Sequence, residues 1–91
     1  MSVDVLRPRL VSYARYRWDT IRTQHQIVYP EGVLVLNDSS AAILELCDGR
    51  TVDEVIETLS SQYEGADVGP DVHEFLRELI DKGLVRDDDD A

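Results

Sequence analysis

The stretch that most constrains this chain is Tyr29-Pro30-Glu31-Gly32-Val33-Leu34-Val35-Leu36-Asn37. Pro30 suits the second position of a type I turn and Gly32 the fourth. Four uninterrupted apolar residues follow the turn, and then Asn37 or Asp38 offers a side-chain oxygen to cap a helix. Beyond that point the apolar pattern is helical. Residues 33–36 therefore form the last strand of a small sheet. If only one earlier strand pairs with it, this strand is an edge beside a helix. Its unpaired backbone groups could then accept another chain as an extra strand.

The earlier residues supply the rest of the sheet. From 11 to 18 the chain alternates, with Ala14, Tyr16 and Trp18 on one side and Arg15 and Arg17 on the other. That period of two predicts a half-buried strand. Residues 19–23 make a turn. Residues 24–29, with β-branched Ile27 and Val28, form a second strand. The connections are too short for parallel crossovers, so the three strands form an antiparallel meander.

Three helices follow. Ile43, Leu46 and Cys47 recur at helical spacing, and Gly49 supplies a left-handed stop. Thr51 and Glu54 have the spacing of a capping box. Behind them run Val52, Val55, Ile56, Leu59 and Tyr63 on one stripe. Pro70 suits the first residue of the third helix. Its apolar residues Val72, Phe75, Leu76, Leu79 and Ile80 spread over about 140°, wider than the ~100° that one packing seam requires. Gly83 ends the helix, and Leu84 and Val85 fold back. The predicted fold class is α+β: a three-stranded antiparallel β-sheet followed by a three-helix bundle, winged helix-turn-helix-like with the wing placed first. Residues 1–9 are expected as a flexible arm, 10–85 as the domain, and 86–91 as a disordered acidic tail.

Charge narrows the function. Residues 1–29 carry five basic and two acidic side chains, whereas residues 30–91 carry four basic and 17 acidic ones, within a net charge of −10. Nucleic acid is disfavoured, because binding phosphate depends on Lys and Arg. The alternative of a winged-helix DNA-binding regulator meets the same objection. Its third helix would present Asp71, Glu74, Glu78 and Asp81 against Arg77 and Lys82. A third reading is a homodimer that self-associates through the edge strand. No apolar run approaches the ~20 residues of a membrane span, no signal-peptide core is visible, and one cysteine excludes an internal disulfide framework. The expectation is a cytoplasmic protein with no membrane contact.

Candidates for chemistry are poor. Cys47 holds a core position, where a free thiol behaves as a small hydrophobe. Ser39 and Ser40 lie in a helix's first turn with no histidine nearby in sequence. His25 and His73 are too scattered to make a metal site with Cys47. Glu74 and Glu78 read as a solvated helix face. The sequence predicts no enzyme, no catalytic residue, no metal and no cofactor.

Several of these residues, taken in order, resemble the PqqD family of pyrroloquinoline quinone (PQQ) biosynthesis. They are Arg7-Pro8-Arg9-Leu10, Arg17-Trp18-Asp19, Tyr29-Pro30-Glu31-Gly32, Leu36-Asn37, Leu46-Cys47-Asp48-Gly49, Phe75-Leu76 and Gly83-Leu84. The resemblance covers residues 7–85. It implies a non-catalytic peptide chaperone that binds the precursor peptide PqqA as a strand added to the third strand, beside the third helix. It also implies presentation of that peptide to the radical S-adenosylmethionine enzyme PqqE.

The residues themselves support a peptide site. Leu34 and Leu36 are assigned to the core, and Val33 and Val35 to the other face, nearer the side chains of a guest strand. Asn37 closes the strand. On the third helix Leu76 and Ile80 are assigned mainly to the core, while Phe75, Leu79 and Val72 line the groove; the opposite assignment of faces is the alternative. Arg15 and Arg17 are candidates for docking a partner enzyme.

Overall fold

The computed structural model describes residues 5–88. Strands β1 (Pro8–Leu10), β2 (Arg15–Asp19), β3 (Gln24–Tyr29) and β4 (Gly32–Leu36) are followed by helices α1 (Asp38–Glu45), α2 (Val52–Gln62) and α3 (Gly69–Asp81), and by strand β5 (Val85–Asp87). β2, β3 and β4 make the expected antiparallel sheet in that order. The third predicted strand is thus β4.

Local chemistry sets the helix boundaries. Asn37 caps α1, its Oδ1 accepting the Ser40 N–H at 2.7 Å. At α2 the Thr51 N–H donates to Glu54 Oε1 at 2.8 Å, and the Glu54 N–H donates to Thr51 Oγ1 at 3.1 Å. This capping box satisfies two backbone donors at once. It also holds the Glu54 carboxyl below its ordinary range, chiefly through the backbone hydrogen bond. The core lies between the sheet and the helices, where Ile27, Val55, Val72, Leu76 and Leu79 are fully buried.

Two expectations need correction. The arm expected over residues 1–9 is a strand by Pro8, and the tail expected from Arg86 begins as one. β1 and β5 pair with Pro8 opposite Asp87 and Leu10 opposite Val85. Further bonds stitch the clasp. Leu6 and Arg7 donate backbone N–H to the Asp87 carboxylate at 3.1 Å each. Arg7 Nη1 and Arg9 Nη2 donate to the carbonyls of Gly49 and Asp48 at 2.8 and 2.9 Å. Gly49 fits here for two reasons: its φ is +112°, and a Cβ would sit 3.2 Å from the Arg9 guanidinium. The rest of the expected arm and tail, residues 1–4 and 89–91, lies outside the described residues.

β2 is the second correction. It was expected to be half buried, yet Arg15, Tyr16, Arg17 and Trp18 are all exposed. Tyr16 and Trp18 share the helix-facing side with His25, Ile27, Leu34 and Leu36, as the strand register requires. They remain 45% and 46% exposed, whereas Leu36 at the far side of the sheet is 6% exposed. The helices cover β3 and β4 and stop short of β2.

Candidate functional site

The site is built from the turn upward. Pro30 and Glu31 form a two-residue loop, so the flanking pair Tyr29–Gly32 is a hydrogen-bonded one. Hydrogen-bonded and non-bonded pairs alternate along an antiparallel ladder. Ile27–Leu34 and His25–Leu36 therefore exchange bonds, while Val28–Val33 and Gln26–Val35 do not. The N–H and C=O groups of Val33 and Val35 consequently point away from β3. Among the described residues no strand takes them up. Their side chains stand on the sheet's outer face, 50% and 54% exposed, while Leu34 is half-buried and Leu36 is buried. This matches the assignment made from alternation.

At the end of β4 a trough of about 490 Å³ opens between α1 and α3. Asn37 and Ser40 lie at its mouth, Ile43 and Phe75 form its apolar floor, and Asp71, Glu74 and Glu78 make the α3 wall. A smaller hollow of about 240 Å³ shares Ser39, Ile43 and Asp71 with it and continues toward Tyr63. Of the expected groove residues, the trough brings together Asn37 and Phe75. The partition of α3 otherwise differs from the expected one. Leu79, assigned to the groove, is buried in the core with Leu76, and Val72, also assigned to the groove, is fully buried beneath the smaller hollow. Ile80, assigned to the core, is only half-buried. The wide stripe is needed because α3 packs against both α2 and β5, so two contacts consume what one seam would leave over.

Arg15 and Arg17 lie on the outer sheet face with Gln26, Val28, Val33 and Val35. This is the face opposite the trough-side helices. Asp19 anchors the adjoining turn: its Oδ1 accepts the N–H groups of Ile21 (2.9 Å) and Arg22 (3.1 Å), and Gln26 Nε2 donates to its Oδ2 at 3.2 Å. The Arg22 backbone bond is the largest influence, and it holds this carboxyl below its ordinary range despite burial.

One cluster has no sequence-local signal. Tyr16 Oη lies 2.6 Å from His25 Nδ1, and His25 Nε2 lies 3.0 Å from Asp38 Oδ1. Since a carboxylate only accepts, the Nε2–H of His25 donates to Asp38, while Tyr16 Oη and Nδ1 share the second hydrogen bond. Trp18 meets the same ring edge-on at 4.8 Å. The arrangement ties β2, β3 and α1 together. As for the other reactive groups, burial pushes the Cys47 thiol up to about 12, and its Sγ–H donates to the Ile43 carbonyl at 3.3 Å. Such a thiol is inert as a nucleophile. Among the described residues no group of three or more His, Cys, Asp or Glu is gathered as a metal site, and no helix is long and apolar enough to cross a membrane.

The geometry is that of a sheet edge opening into a helix-lined trough. The family model for coenzyme PQQ synthesis protein D (PqqD) matches residues 24–85. The chain belongs to the PqqD family. A PqqD-family relative from Rhodopseudomonas palustris, named a PqqA binding protein, is 42% identical over 82 residues, covering 87% of this chain and 80% of the relative. A protein of the same name from Methylococcus capsulatus is 36% identical over 74 residues, with 80% of each chain covered. Among solved structures, the PqqD truncation of Methylobacterium extorquens PqqCD aligns with a TM-score of 0.74 at 32% identity, covering 87% of both chains. That protein is described as a functional, stand-alone recognition element for ribosomally synthesized and post-translationally modified peptides. Its likeness bears out the α+β class with a three-stranded antiparallel sheet and three helices.

Proposed function

We propose that this protein is a PqqA-binding peptide chaperone of PQQ biosynthesis, and that it holds the precursor peptide by strand addition to β4. The observation that carries the reading is the outward-facing backbone of Val33 and Val35, on an uncharged edge that ends at the mouth of the trough. In β-augmentation, main-chain bonds supply affinity and side-chain pockets supply specificity. The guest's side chains alternate, so half would pass over Val33 and Val35 and half would face the α1–α3 trough. Asn37, Phe75 and half-buried Ile80 would meet them; Leu34, Leu36, Val72, Leu76 and Leu79 would hold the platform from beneath. The names of its PqqD-family relatives support the identity of the peptide.

The same reading has the bound peptide presented to PqqE, with Arg15 and Arg17 on the outer face steering the encounter. Reversing both to Glu should slow docking and change its salt dependence; unchanged kinetics would remove them from the docking surface. The peptide site is tested by titrating isotope-labelled protein with synthetic PqqA. Amide shifts concentrated on residues 33–37 and on the exposed flank of α3 are expected. Absence of shifts at millimolar peptide would put binding weaker than about −4 kcal/mol and overturn the proposal.

A further inference from the structure

We infer that the peptide segment seated in the α1–α3 trough carries Lys or Arg side chains flanking an apolar one. This deepens the proposed function and rests on it. The open edge of β4 supplies the reason for a peptide, and the trough supplies its side-chain preference. The floor offers Ile43 and Phe75 to an apolar residue, and every charged side chain in the wall is acidic: Asp71, Glu74 and Glu78. Lys82, four residues beyond Glu78, lies at the helix C-cap and outside the trough.

Asp71 lies in the first turn, where the helix dipole favours an acid, but the row it forms with Glu74 and Glu78 does not suit the helix. Asp71 and Glu74 are three residues apart, and Glu74 and Glu78 four, so like charges stand side by side on one flank. Glu78 also approaches the negative end of the α3 dipole, whose last turn holds no basic residue. All three side chains are exposed, so packing does not require them. A chain laid along β4 and continuing past Leu36 enters this trough at Asn37. A cation arriving there would relieve the repulsion along the wall. An acidic segment would meet three like charges and be rejected.

The test is anisotropy of dye-labelled PqqA peptide with the full chain, titrated from about 0.05 to about 0.5 M salt, a range in which exposed charges pass from weak to strong screening. The variants are Asp71→Asn/Glu74→Gln/Glu78→Gln together, Glu74→Gln alone, and a peptide with every Lys and Arg replaced by Gln. The triple variant should bind about tenfold more weakly at low salt and lose most of its salt response. The neutral peptide should show the same loss on wild-type protein and no further loss on the triple variant. Neutralisation relieves repulsion along the wall but gives up the favourable charge of Asp71 in the first turn; if the melting temperature of the triple variant falls, Glu74→Gln alone supplies the same comparison at smaller amplitude. Equal affinity and equal salt response of wild type and variants would overturn the inference while leaving the peptide site standing. Failure of wild-type protein to bind PqqA would overturn both.

Discussion

β2 and β4 are the two edges of one sheet, and they are built on opposite principles. β2 reads Arg-Tyr-Arg-Trp-Asp, while β4 reads Gly-Val-Leu-Val-Leu. Exposed strand edges invite unwanted pairing, and charged side chains are a common deterrent. β2 carries arginines on its outer face and ends in the Asp19 anchor; β4 carries no charge at all. Support from beneath is reversed as well. β4 rests on the helical core through buried Leu36, whereas β2 overhangs it with Tyr16 and Trp18 half exposed. A protected edge needs little underneath it. On the proposed function, the edge that receives a strand gains from being both unguarded and rigid, because a mobile acceptor would lose more conformational entropy on binding.

The largest effect expected from this contrast is on stability. Leu36→Ala should cost about 2–5 kcal/mol, since it opens a cavity in the core. Trp18→Ala removes a larger side chain but should cost only about 1 kcal/mol, mostly its packing against His25. Thermal melts check this: a domain of this size loses about 4–8 °C for each kcal/mol. Equal losses would mean that the helices carry both edges alike.

Binding separates the edges next. Val35→Pro removes an outward N–H without touching the ladder to β3, and should weaken PqqA binding about tenfold, the equivalent of one lost hydrogen bond of about 1.4 kcal/mol. The same alternation turns the N–H of Tyr16 outward on β2. Tyr16→Pro should therefore change affinity by less than about twofold once the folded fraction is accounted for. If the two substitutions exchange their effects, the guest strand adds to β2 instead.

Much of this was legible in the sequence, and what was not has identifiable physical causes. The turn at Pro30–Gly32, the alternation of Val33 and Val35 with Leu34 and Leu36, the capping box at Thr51 and the Asn37 cap are local signals, and the structure realises each. The β1–β5 clasp is not local: Pro8 pairs with Asp87, and three-residue strands carry too little pattern to announce such a distant partner. The exposure of Trp18 depends on where the helices stop, which β2's own alternation cannot report. The α3 stripe was visible, but its partition between core and groove was not. A helix touching two neighbours buries a wider arc than one seam, and that arc took in Val72 and Leu79. The trough itself is formed by α1 and α3 meeting across about 30 residues of chain, so only its individual members could be named in advance.

The subtlest difference between the edges is in their response to acid. β4 contains no ionisable side chain, so acid leaves its edge chemically unchanged. β2 ends at Asp19, whose folded-state pKa lies below the ordinary 3.8 because the Arg22 and Ile21 backbone N–H groups and the Arg22 side chain favour the carboxylate against its burial. A group depressed on folding contributes stability that is fully present above its unfolded pKa and lost as pH falls through the folded one. At neutral pH, Asp19→Asn should therefore lower the melting temperature by its largest margin. Below about pH 4 the wild type loses this contribution and the asparagine variant has none to lose, so the two melting curves should converge. Amide exchange read on the same samples localises the effect. Protection should fall first at residues 19–24, where the turn loses its acceptor, while Leu34 and Leu36 keep theirs. A margin that stays constant down to pH 3 would mean that Asp19 serves the turn through its shape and hydrogen-bond geometry, and that its charge does not guard the β2 side of the sheet.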